Sequence, residues 1–138
     1  MMKLKKILII LTTLIVVVVV STLLHYKSMN YISENWNIDL PSENTIVYQV
    51  KPSPSFTNDG IYYEVQESKS KKLPITLSNK KNNEIEEEFN KYITEAKVSQ
   101  KQLPDFTQDY KYYKKSDVGR SLIVVAQRHK LYIVSYNL

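Results

Sequence analysis

The chain has 138 residues, a formal net charge of +5 and no cysteine, which excludes disulfides, thiol nucleophiles, cysteine-linked lipid and cysteine-ligated metal. Of the nineteen Lys and Arg, four (Lys3, Lys5, Lys6 and Lys27) flank one apolar stretch, so fifteen face all fourteen acidic residues in the rest, a balance of about +1. That leaves no basic excess to neutralise phosphates along a nucleic acid, and nucleic acid is not an expected partner.

The apolar stretch covers residues 7–24, eighteen residues without a charge. As a helix it rises roughly 27 Å, close to the ~30 Å hydrocarbon core of a bilayer. A cleaved signal peptide has a shorter apolar region and a small-residue site after it. Here the first alanine is Ala96, and the best small residue, Ser21, lies inside the run. His25, Tyr26 and Lys27 follow and suit a membrane interface. Three lysines precede the run and one follows it closely, so the positive-inside bias puts the N-terminus in the cytoplasm. The expected organisation is a cytoplasmic N-terminus over 1–6, an uncleaved transmembrane anchor over 7–24, a linker over 25–42 and an extracytoplasmic domain over 43–138. A pilin-like reading fails, because the run has neither a glycine cleavage site before it nor a glutamate within it. The excess of Lys, Ile, Tyr and Asn over Ala and Gly points to a low-GC bacterium.

The linker is polar, and its Trp36 reads as an anchor to a domain edge or the membrane surface, or as a binding aromatic. Ile46, Tyr48 and Val50 alternate with Val47, Gln49 and Lys51, as Ile61, Tyr63 and Val65 do with Tyr62, Glu64 and Gln66, which predicts two half-buried strands. Between them Pro52, Pro54, Asp59 and Gly60 mark a loop with Phe56 near its middle. Phe56 is a partner-contact candidate or a residue folded back over the sheet edge. Residues 67–82 are Lys- and Ser-rich, and Pro74 argues against a helix.

A helix is predicted over 83–98. Ile85, Phe89, Tyr92, Ile93 and Ala96 share one face at a 3.6-residue period. Asn83 with Glu86 resembles a capping box. Glu84, Glu86, Glu87 and Glu88 suit the positive end of the helix dipole and read as a solvated face. Three more strands are expected over 110–113, 122–126 and 131–136, the second covered on both faces. A turn over 116–119 separates the first two; Gln127, Arg128, His129 and Lys130 connect the last two tightly. The fold class is α+β, an antiparallel-dominated ββαβββ sheet with one helix on one face, preceded by the transmembrane helix.

No catalytic, cofactor-binding or metal-ligating residue stands out, and no cofactor is expected. The two histidines, His25 and His129, sit at the membrane boundary and in a turn between two cations. Asp105, Asp109 and the helix glutamates are raw material for a carboxylate-dependent hydrolase, with no spacing that singles them out. Tyr62, Tyr113, Tyr132 and Tyr136 are expected on the sheet face away from the helix, where aromatics add contact area at low entropy cost. With Phe56 they are the candidate partner contacts. The functional expectation is a membrane-anchored, non-enzymatic binding domain, touching another envelope protein or a cell-wall component. The alternatives are an immunity-type protein against an envelope-active toxin and a carboxylate-dependent envelope hydrolase.

Overall fold

A computed structural model describes residues 2–29, 31–53, 59–70 and 72–138; the side chains of 2–5, 7, 8 and 24–29 lie outside the description. The chain divides into two units, Met1–Asn37 and Ile38–Leu138.

The first unit is helical. α1 spans Met2–Met29 without interruption and contains the whole apolar run. The hydroxyls of Thr12 and Thr13 donate to the carbonyl of Ile9 at 2.9 Å, and that of Thr22 donates to Val19 at 2.8 Å. These polar groups are therefore satisfied within the helix itself. Among the described residues, no helix is long and apolar enough to cross a membrane. The run whose side chains are described, 9–23, rises ~22 Å, short of the ~30 Å core. The span expected over 7–24 is thus not established by the fold. Residues of the expected linker form a second short helix, α2, Tyr31–Trp36, which buries Ile32 and Trp36. Trp36 is 1 % exposed and presents no ring face to a ligand. α2 stops at Asn37, whose φ of 47° is a left-handed conformation that asparagine tolerates better than most residues.

The second unit is a five-stranded sheet in the order β1-β2-β5-β4-β3, with β1 Thr45–Val50, β2 Gly60–Glu67, β3 Lys111–Asp117, β4 Arg120–Gln127 and β5 Lys130–Asn137. Every pairing is antiparallel. α3, Asn83–Glu95, lies between β2 and β3 in sequence, so the ββαβββ order holds. Ile85, Phe89, Tyr92 and Ile93 are the buried face of α3, as the 3.6-residue period predicts. They pack on Ile61, Tyr63, Val65, Ile123, Val125 and Val134 of the sheet.

Several details differ from the sequence reading, and one is that β3 runs on to Asp117, through half of the turn expected over 116–119. β2 is buried on both faces from Ile61 to Gln66, not half-buried, because it is an inner strand between β1 and β5. The helix cap is Asn82, not Asn83. The Asn82 Oδ1 accepts from the amides of Glu84 (2.9 Å) and Ile85 (3.4 Å). Its own N–H donates to the Tyr110 hydroxyl at 3.1 Å and its Nδ2 to that of Tyr112 at 3.2 Å. Contacts from distant tyrosines thus choose between two adjacent asparagines. The helix also ends at Glu95 rather than Val98. Lys97 takes φ 54°, its N–H reaches Thr94 O and that of Val98 reaches Ile93 O, which closes the C-terminus in a Schellman motif.

Candidate ligand-binding cleft

The aromatic platform expected on the outer sheet face does not form. Val65 pairs with Tyr132 and Ile61 with Tyr136, so both tyrosines share the face that carries Val65, Ile61 and α3. Tyr62 does point to the other face, but it is only 2 % exposed. Tyr113 is on that face too and is half-buried. Phe56 lies outside the described residues. The tyrosine assignment therefore holds for Tyr62 and Tyr113 as to face, and is corrected for Tyr132 and Tyr136. In β5 both alternating sets, Leu131 and Ile133 against Tyr132 and Val134, are apolar, so a period of two cannot say which set meets the helix.

The glutamates of α3 divide. Glu84 and Glu87 are exposed as expected. Glu86 instead accepts from the Tyr110 hydroxyl at 2.7 Å. Glu88 accepts from Ser121 Oγ at 2.7 Å and Tyr92 Oη at 3.2 Å, and pairs with Lys114. Burial alone would raise the Glu88 carboxyl, but Lys114 and Ser121 outweigh it and hold the group below its ordinary value. A carboxylate held ionised by a lysine is a brace between helix and sheet and a poor proton donor. Among the described residues, no group of three or more histidines or carboxylates could hold a metal ion.

Two carboxylates, Glu67 and Asp105, share one cleft of about 370 Å³. Both are exposed, and Asp105 accepts from the Thr107 hydroxyl and amide and from Gln108 Nε2, bonds that lower its pKa. In a hydrolytic pair one partner is commonly kept protonated by burial, and neither of these two is buried.

The larger cleft, of about 490 Å³, has a different character. Its lip is the β4–β5 turn, Arg128 and His129, with Lys130 beside it. The opposite wall is the connection that leaves β2, with Lys69, Leu73 and Leu77. That connection is pinned at both ends. The Ser68 amide donates to His129 O at 2.7 Å, and Ser78 exchanges two backbone bonds with Tyr112 at the outer edge of β3, 2.7 and 2.9 Å. Asp109, Tyr110 and Lys111 close the third side. Four cationic residues, Lys69, Lys111, Arg128 and Lys130, and one carboxylate, Asp109, line it together with apolar Leu73, Leu77, Ala126 and Leu131. Arg128 is held with φ at 56° and donates from Nη2 to Gln108 Oε1 at 2.6 Å. The sequence reading treated this turn only as a connector. The available signal was the run Arg128, His129, Lys130 without an acid beside it; Lys69 and Lys111 are too far away in sequence to be joined to it.

On the outer sheet face a buried polar chain runs through β1 and β2. Gln49 Nε2 donates to Tyr62 Oη and Tyr62 Oη to Glu64 Oε2, while Gln66 Nε2 donates to Glu64 Oε1 at 2.6 Å and Asn44 Nδ2 to Gln66 Oε1 at 2.8 Å. Glu64 is 1 % exposed. Burial pushes its carboxyl up, against the hydrogen bonds from Tyr62, Gln66 and Gln49 that favour the charged form. None of the clefts just described is lined by it, so the chain reads as structure. No protein-family model matches the sequence, and no curated protein or solved structure matches it either.

Proposed function

We propose that this is a single-pass, membrane-anchored protein whose Ile38–Leu138 unit is a binding domain held outside the cytoplasmic membrane. The observation that carries the reading is the uncharged run 7–24 lying inside one unbroken helix, α1. In hydrocarbon a helix satisfies its own backbone, and the threonine hydroxyls of this one bond within it. Lysines before the run support a cytoplasmic N-terminus. A binding role for the domain is supported by a cleft that gathers charge and apolar surface without a facing pair of catalytic carboxylates.

Protease added to spheroplasts tests the topology. The domain is digested from outside if the reading is right. Its full protection, with digestion only after lysis, reverses the orientation, and release of the whole chain from membranes by alkaline carbonate removes the anchor.

A further inference from the structure

We propose that the cleft behind the β4–β5 turn binds an organic phosphate that carries a short apolar chain. The unit outside the anchor is nearly neutral, yet four of its cationic residues line this one cleft with a single carboxylate. Those cations come from three elements: Lys69 from the connection after β2, Lys111 from β3, and Arg128 with Lys130 from the β4–β5 hairpin. Cations arriving from several directions suit a tetrahedral dianion, which accepts hydrogen bonds on all sides.

Charge alone would describe a solvated basic surface. Two further observations separate the cleft from one. Its floor is apolar, with Leu131 fully buried and Leu73 and Leu77 half-buried on the facing connection. A bare phosphate leaves such a floor wet, whereas an alkyl chain covers it. The volume, about 490 Å³, is far larger than one phosphate and falls in the ~300–1,000 Å³ range of small-molecule sites. Arg128 also holds a left-handed backbone at the first of two turn positions between paired Gln127 and Lys130, a place where glycine is usual. Non-glycine residues kept in such conformations cluster at ligand clamps. Gln108, on the wall of the adjoining cleft, takes one N–H of the guanidinium, and the fork has others to offer.

This inference deepens the binding-domain reading and does not depend on the anchor. Hexyl phosphate, inorganic phosphate and hexyltrimethylammonium are titrated into the full chain in phosphatidylcholine nanodiscs, with empty nanodiscs as the blank. Hexyl phosphate should bind at least tenfold more tightly than inorganic phosphate, and the cation should not bind. Arg128→Gln with Lys130→Gln should weaken hexyl phosphate at least tenfold at unchanged melting temperature. Leu77→Asn should bring hexyl phosphate close to inorganic phosphate and leave the latter unaltered. If the hairpin variant melts early, Lys69→Gln with Lys111→Gln, on other elements, reads the same loss. Equal affinity for the two phosphates, or affinity that survives both double variants, overturns the proposal. A full chain that alkaline carbonate releases from membranes but that still binds hexyl phosphate would sink the anchor and keep the cleft; a carbonate-resistant chain that binds nothing would do the reverse.

Discussion

The ring of Tyr136 lies flat against that of Tyr92, centroids 4.9 Å apart and planes 11° from parallel. One ring belongs to α3 and the other to the end of β5, so the pair clamps the helix to the central strand. Lys91 Nζ stands over the Tyr92 ring, 5.9 Å from its centre. Tyr136 is therefore occupied within the fold. Tyr136→Ala should lower stability by roughly 1–3 kcal/mol, the cost of truncating a half-buried aromatic with a lost ring contact. Denaturant melts measure it; a loss below 0.5 kcal/mol would mean the ring is free for a partner.

Phe89 is the centre of the helix-side core. It is 0 % exposed and meets Tyr63 and Phe106 edge-on at 6.1 and 5.6 Å. Phe89→Ala should cost roughly 3–5 kcal/mol, a large part of the ~5–15 kcal/mol that holds a small domain together. Glu87→Ala, on the exposed face, should cost well under ~1 kcal/mol. Chemical denaturation of both variants checks the contrast.

Two glutamates should pull the pH profile in opposite directions. The folded Glu88 carboxyl lies below its ordinary 4.5, so its contribution is present at neutral pH and lost as pH falls through the folded value. The folded Glu64 carboxyl lies above 4.5, so its contribution is greatest in acid and is lost as pH rises through the folded value. Glu88→Gln should flatten the acid-side loss of stability. Glu64→Gln, of nearly the same shape, should remove a decline on the neutral side. Melting curves recorded across pH for the two variants must differ from the parent with opposite slopes; parallel slopes would refute the assignment.

Arg128→Gly should stabilise the turn by about 0.5–1 kcal/mol, since a left-handed backbone costs a side-chain-bearing residue ~1–2 kcal/mol and glycine returns part of that through unfolded-state entropy. A raised melting temperature together with weaker hexyl phosphate binding is the expected pair of results. A lower melting temperature would show that the bond to Gln108 outweighs the strain.

Much of the element order is legible in the sequence because each element has its own period. Ile85, Phe89, Tyr92 and Ile93 announce α3, and Ile61, Tyr63 and Val65 announce β2. Faces were harder to read. β5 is apolar on both sides, and only its pairing with β2 and β4 decides that Tyr132 and Tyr136 meet the helix. Asn82 and Asn83 offer the same capping chemistry, and Tyr110 and Tyr112, some thirty residues later, select Asn82. The cleft was hidden for the same reason. Lys69, Lys111 and the Arg128–Lys130 turn are joined only by the sheet order β5-β4-β3 and by a connection pinned at Ser68 and Ser78.

The central claim, an anchored binding domain, is tested most directly by the intact mass of the full-length protein extracted from membranes. A mass that retains residues 7–24 is the predicted result. A species that begins near Thr22 or Ser28 would contradict it.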